Sequence, residues 1–356
     1  MKSFIPKACA AAMLLCIEIQ AGGNALAQAK AEPTVAEIAN LQGESRQKIL
    51  REGAKKEGEL SLYSSMPQGD ISALSEAFGK HYGIKVKVWR ASSEGVLQKI
   101  VTEARGGRFE VDIVENSVPA MEALRREKLL QQVISPAQAD IMPEAIPVHK
   151  EWLGSTFDVF VQGYNTNLVK KEDLPKSYQD LLDPKWKGKL GIEAEDQSWF
   201  AVLLQELGEE KGLKLFRDMV DTNGISVRKG HTLLANLVAS GEVPLALTLY
   251  NYAPDQLKQQ GAPIQSFIIP PAIAQFRAVG LLKKAPHPHA AMLWYDFMLS
   301  EEAQQILVKR FNIPTHTKVS APIKSQQIKF INPVQALDMN EKWLKAYEQA
   351  VTKRSR

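Results

Sequence analysis

One feature constrains this chain more than any other: short apolar runs alternate with helical periods, first through residues 60–129 and again through residues 157–282. In the first series Leu60-Ser61-Leu62-Tyr63 reads as a strand. Ile71, Leu74 and Phe78 then recur at helical spacing behind Asp70, a helix-capping type. Ile84, Val86 and Val88 alternate with lysines, as in a strand with one buried face. Ser93 is placed to cap a helix carrying Val96, Leu97, Ile100, Val101 and Ala104. Residues 111–114 form a third apolar run, and Met121, Leu124 and Leu129 continue a third helix. The second series offers strands near 157–164, 190–192, 225–227, 243–250, 264–269 and 278–282. Helices are expected at 199–207 and at 233–238, and helical periods return at 290–299, 301–308 and 336–351. Such alternation predicts parallel sheets covered by helices, and 356 residues are enough for two of them.

The ends read differently. Lys2 and Lys7 precede an apolar stretch at 8–17, and Ala25-Leu26-Ala27 offers a cleavage site. That order predicts a secretory signal peptide over residues 1–27, with Gln28 beginning the mature chain. The apolar stretch is too short to span a bilayer, which takes roughly 20 residues. Residues 28–42 are expected to be a short tether. Cys9 and Cys16 are the chain's two cysteines, and both precede the cleavage site. Thiol catalysis, thiolate metal sites and disulfides are therefore not expected in the mature protein. The net charge is +4, with no dense Lys/Arg block, so nucleic acid is not an expected partner.

In open parallel sheets ligands gather at the carboxyl ends of strands. The ends of the first series present Ser64 and Ser65, then Ser92 and Ser93, then Glu115 and Asn116. Each pair precedes a helix, whose free N–H groups favour an anionic or oxygen-rich ligand. The second series offers Glu195 and Asp196 with Trp199, and then Tyr250-Asn251-Tyr252. Each of these has a plainer role open to it. A serine before a helix is an ordinary cap, the acids can decorate a helix start, Trp199 can be core, and one tyrosine can pack while the other faces the cleft. His81, His149, His287 and His289 read as solvated surface. The coincidence of strand ends carries the binding-site reading.

Loop signatures then add a resemblance. Leu62-Tyr63-Ser64-Ser65, Arg90-Ala91-Ser92-Ser93, the stretch 180–189 (DLLDPKWKGK), Ser240-Gly241-Glu242-Val243-Pro244, Gly261-Ala262-Pro263 and Ala285-Pro286-His287-Pro288 follow one another in a characteristic order. On these pieces the chain resembles extracellular solute-binding proteins of the ferric-iron-transport type, over about residues 59–308. The resemblance implies an α/β, two-lobed, class II periplasmic binding protein-like fold. Two parallel-sheet lobes would be joined by two crossing strands, near 157–164 and 276–282. The implied lobes are 28–155 with 283–320, and 156–282, followed by a helical tail at 321–356. The implied function is capture of a ligand in an interlobe cleft by hinge closure, with delivery to an inner-membrane ABC permease, by a periplasmic monomer that is not an enzyme and has no cofactor of its own.

Ferric members bind the ion through adjacent tyrosines, a carboxylate and often a histidine; hard oxygen donors suit such a cation. The resemblance would place Tyr250 and Tyr252 on the metal. This sequence departs from that pattern. Met66 and Gln68 follow the first strand with no histidine, Asn251 splits the tyrosines, Glu115 stands near but not on the family carboxylate position, and no arginine lies around Thr156. Ferric iron, an iron chelate and a small organic anion of carboxylate or phosphonate type all remain open as ligands, with a periplasmic hydrolase as the rival class.

Overall fold

The computed structural model describes residues 32–319 and 328–353; the expected signal peptide lies outside the described residues. Twelve strands are described: β1 (Glu59–Ser64), β2 (Lys85–Arg90), β3 (Ile113–Ser117), β4 (Leu130–Gln131), β5 (Leu153–Asn165), β6 (Leu190–Glu193), β7 (Ser226–Arg228), β8 (Leu245–Tyr250), β9 (Ile264–Phe267), β10 (Ala272–Leu282), β11 (Ile313–Pro314) and β12 (Ile328–Phe330). They form one mixed sheet, ordered β2-β1-β3-β10-β5-β8-β6-β7, with β4 and β12 on β10 and β9 and β11 on β5.

Its two halves are parallel and its centre is not. β1 runs parallel to β2 and β3, and β6 runs parallel to β7 and β8. Between these halves β5 and β10 pair antiparallel with each other, and each pairs antiparallel with the half beside it. Every residue of β5 and β10 is buried. Both are covered on two faces although they carry polar residues such as Thr156, Asp158, Gln275 and Arg277, and they occupy the expected crossing positions. Helix and sheet pack into two apolar clusters. Phe78, Trp294 and Phe297 anchor one, and Trp199, Phe200 and Phe216 anchor the other. The first also takes in Leu234 and Val238 from the helix His231–Ser240, so the cores do not divide cleanly at the crossing strands.

Several local expectations are corrected. The tether contains the helix Val35–Ala39, closed by a Thr34–Glu37 capping box, with Ile38 and Ala39 buried. Asp70 is not a cap. It lies inside the helix Gln68–Tyr82, fully buried, where its carboxylate pairs with Arg310 and accepts from Asn312 Nδ2 at 2.9 Å. β2 is a sheet edge whose alternation hides no face: Val88 and Trp89 are exposed. His287 and His289 are not solvated surface. They pair with Asp112 (3.0 Å) and Glu57 (2.6 Å), fixing the start of the helix Pro288–Met298. The tail helix expected at 336–351 breaks at Met339, between the helices Pro333–Asp338 and Asn340–Tyr347. Among the described residues no helix is long and apolar enough to cross a membrane.

Candidate functional site

A cleft of about 720 Å³ opens where the carboxyl ends of both parallel halves meet the central strands. Its first wall starts from a helix end. Ser92, in extended conformation, caps the helix Ser93–Arg105 by accepting from Gly95 N at 3.2 Å, so the cap is Ser92 and not Ser93. Ser93 is freed to donate from Oγ to Ser65 Oγ at 3.3 Å. Ser65 Oγ donates in turn to Asn116 Oδ1 (2.9 Å) and accepts from Arg277 Nη2 (2.9 Å).

Arg277, from the middle of β10, is 4% exposed and lines the cleft floor. Its Nε lies 3.7 Å from Glu115 Oε1 and its Nη1 3.5 Å from Asp158 Oδ2, both carboxylates being fully buried. These contacts are long for charge-assisted bonds. Arg277 Nε, Glu115 Oε1, Asp158 Oδ1 and Thr156 Oγ1 have no hydrogen-bond partner. Burial raises the pKa of both carboxyl groups and the nearby guanidinium lowers it only in part. One cation thus faces two desolvated acids.

The second wall is acidic and aromatic. Glu193 closes β6. Its two carboxylate oxygens accept from Gly230 N (2.8 Å) and Glu195 N (2.5 Å), tying together the loops after β6 and β7. Gly230 adopts φ +104°, which favours glycine, and places His231 at the first position of its helix. His231 Nε2 lies 3.2 Å from Asp196 Oδ2, and its ring stacks on Tyr250 at 3.9 Å. Glu193, Asp196 and His231 each present a ligand atom within 4.8 Å of the others. Burial, reinforced by the Asp196 charge, pushes the Glu193 carboxyl up to about 7. Burial would lower the His231 pKa, but Asp196 reverses the direction and holds the imidazole protonated more strongly than usual.

Tyr250 and Tyr252 flank a strand-to-helix corner, their rings 6.0 Å apart, and both line the cleft. Asn251 between them turns inward. It accepts from Val159 N at 2.9 Å and donates to Phe311 O at 3.0 Å, so the residue that splits the pair also aims it. Tyr250 Oη accepts from Gln275 Nε2 at 2.6 Å. Burial raises both phenol pKa values, so ionising them would take a bound cation.

Of the residues expected from sequence, Ser65, Ser92, Ser93, Glu195, Asp196, Trp199, Tyr250 and Tyr252 border the cleft. Ser64, Glu115 and Asn116 do not. Glu115 and Asn116 belong to β3 rather than to a loop after it. All three are fully buried behind the wall, where Ser64 Oγ donates to Glu115 Oε2 at 2.9 Å. Trp199 is 1% exposed and packs among Phe160, Tyr178 and Phe216, so it is chiefly core. Glu195 pairs with Lys229 at 2.6 Å. Both tyrosines face the cleft, where one was expected to pack.

Sequence reasoning missed Glu193, His231, Asp158 and Arg277. The first two lie at or just after strand ends, the signal used for the other candidates. The last two stand in the sequence only as charges inside strand-like runs. The arginine absent along the chain near Thr156 is present in space, since Arg277 is the cross-strand partner of Thr156.

Comparison with known proteins gives a consistent likeness. A family model described as bacterial extracellular solute-binding protein matches residues 111–334, more than half of the chain. Iron uptake protein A1 of Synechocystis sp. is 27% identical over 288 residues, covering 75% of this chain and 78% of that protein. The Fe(3+)-binding periplasmic protein of Serratia marcescens is 25% identical over 256 residues, covering 69% and 75%. Among solved structures, iron-bound HitA from Pseudomonas aeruginosa superposes with a TM-score of 0.72 at 24% identity, covering 82% of this chain and 99% of that one. AfuA from Actinobacillus pleuropneumoniae, with fructose-6-phosphate bound, gives 0.73 at 22% identity, covering 83% and 99%. These structural likenesses establish a class II periplasmic binding protein fold.

Proposed function

The chain belongs to the bacterial extracellular solute-binding protein family, and from that premise we propose that it is the periplasmic binding component of an ABC importer, taking ferric iron or an iron chelate in its cleft. The observation that carries this reading is the second wall. Two tyrosines 6.0 Å apart stand beside a Glu193–Asp196–His231 cluster whose ligand atoms lie within 4.8 Å of one another. Carboxylate and phenolate oxygens with an imidazole suit a hard, highly charged cation. The names of the relatives from Synechocystis and Serratia support the same ligand.

The division of labour would be as follows. The lobes expected from the sequence, 28–155 with 283–320 and 156–282, would move about β5 and β10 as the hinge. Tyr250 and Tyr252 supply oxygen donors, with Asp196, Glu193 or His231 completing the set. Ser65, Ser92, Ser93 and Arg277 hold anionic groups that accompany the metal. Closure excludes water and strengthens each charged contact. The closed form docks on an inner-membrane permease, and export precedes all of this. We read the chain as non-catalytic, as its family is one of transport proteins.

Titration of the mature protein with ferric citrate and ferric nitrilotriacetate tests the iron reading. A purple-red tyrosinate band that saturates with iron is the expected result. Tyr252→Phe should weaken binding by about 1–3 kcal/mol and reduce the band; unchanged affinity would remove Tyr252 from the site. The second reading, a small organic anion, is favoured by Arg277 and the serine edge of the first wall. A thermal shift with iron-free carboxylates or phosphonates, and no colour with iron, would select it.

A further inference from the structure

The cleft has a third side, built by the last described stretch of the chain. Residues 328–353 leave the sheet through β12, where Phe330 lies flat on Phe276 (4.5 Å) and edge-on to Phe157 (5.3 Å), on the two central strands. Asn332 then caps the helix Pro333–Asp338 by accepting from Val334 N and Gln335 N, each at 3.0 Å. That helix packs on Val118–Arg126 of the first half, where Asp338 pairs with Arg126 at 2.5 Å. After Met339 the chain turns onto the second half. The helix Asn340–Tyr347 lies on Gln197–Leu207 and buries Trp343 and Tyr347, with Tyr347 Oη donating to Glu193 O at 2.5 Å. The segment is thus rooted in the second half and clipped to the first. Between these anchors Leu337, Asn340 and Leu344 line the cleft.

Two features of this side exceed what a bare cation requires. Leu337 and Leu344 offer apolar carbon. Asn340 Oδ1 accepts from Gln197 Nε2 at 3.1 Å, while Gln197 Oε1, also on a cleft-lining residue, is buried with no hydrogen-bond partner. Leaving a buried acceptor unpaired is costly, and a ligand O–H or N–H would pair it.

We propose that this C-terminal strap makes the cleft selective for an organic iron chelate carrying a hydroxyl or N–H donor beside apolar carbon, over the ferric ion alone, with Leu337, Asn340 and Leu344 as specificity-determining residues. The proposal rests on the iron reading above. Discrimination of this kind is a difference of affinities and is read as a ratio.

Calorimetry on the mature protein would compare ferric acetohydroxamate, whose N–H stays free beside a methyl group when its two oxygens hold the iron, with ferric nitrilotriacetate, which has no O–H or N–H donor, and with iron-free citrate. Wild type is expected to prefer ferric acetohydroxamate over ferric nitrilotriacetate by about tenfold or more. Leu344→Glu, and the milder pair Leu337→Ala with Asn340→Ala should the first fail to fold, are expected to bring that ratio to within about threefold while the tyrosinate band with nitrilotriacetate persists. A ratio the variants leave unchanged, or one absent in wild type, overturns the strap's role. Wild type that binds iron-free citrate but neither iron form sinks the iron reading alone; the same variants then judge the strap, and unchanged citrate affinity overturns it. Wild type that binds none of the three overturns both.

Discussion

The two walls of the cleft solve opposite electrostatic problems. The first is made of hydroxyls and a helix start over one buried arginine, and its acids, Glu115 and Asp158, lie out of sight behind Arg277. The second presents its acids, Glu193 and Asp196, at the cleft with His231 and two tyrosines. One wall is therefore suited to hold an anion and the other a cation. A ligand bearing both kinds of charge, such as a metal with an anionic chelator, satisfies both walls at once. The difference also predicts where damage appears: change at the buried charges behind the first wall should register mainly as lost stability, and change in the second mainly as altered proton and ligand binding.

The largest effect tests the first half of that claim. Arg277→Leu leaves two buried carboxyl groups without their cation. Removing one partner from a buried charge cluster costs about 3–5 kcal/mol. The loss should be smaller at pH 5 than at pH 8, because Glu115 and Asp158, whose pKa values burial already raises, can then take up protons. Urea denaturation at the two pH values measures it. An equal loss at both would mean that Arg277 acts through packing, and the contrast between the walls would fail.

How far each wall could be read from sequence follows from the physics of its groups. Strand alternation revealed the sheet halves, and strand ends pointed to Ser65, Ser92, Ser93, Asp196, Tyr250 and Tyr252, which border the cleft because strand ends open onto it. Ser64, Glu115 and Asn116 stand behind the wall because β1 runs through Ser64 and β3 through Ser117, so all three are strand residues and fully buried. Arg277 and Asp158 stand in the middle of crossing strands. Their meeting depends on antiparallel pairing between segments more than a hundred residues apart, which no local period encodes. The strap was legible as helix, but its position beside the cleft follows only from tertiary contacts such as Asp338–Arg126.

A smaller effect sharpens the second wall. The Glu193 pKa rises from its ordinary value of 4.5 to about 7 in the fold. The native state therefore holds this proton more tightly than the unfolded chain. The resulting stability is fully present below about pH 4.5 and is lost as pH rises through about 7. Glu193→Gln removes that titration. The stability of wild type minus that of the variant, in the ligand-free protein, should fall by about 2–3 kcal/mol between pH 5 and pH 8. The slope is the readout, since any hydrogen bond lost in the variant shifts both values alike. A flat difference would mean that Glu193 stays ionised throughout, held by the backbone N–H groups of Gly230 and Glu195.

The smallest effect separates two adjacent serines that sequence alone could not rank. Ser92 accepts from Gly95 N and so holds a helix start, whereas the Ser93 hydroxyl makes one long bond, to Ser65 Oγ. Ser92→Ala should cost about 1 kcal/mol of stability through loss of the cap. Ser93→Ala should change stability by no more than about 0.5 kcal/mol yet weaken binding, because its hydroxyl belongs to the wall that would meet the ligand's anionic part. Denaturation and ligand titration of both variants would show the two effects crossing over. If Ser93→Ala leaves affinity intact while Ser92→Ala lowers it, the first wall binds through its helix N–H groups as Ser92 positions them, and its serine hydroxyls are structural. The anion would then be held by backbone donors and Arg277, with the side-chain contacts confined to the opposite wall.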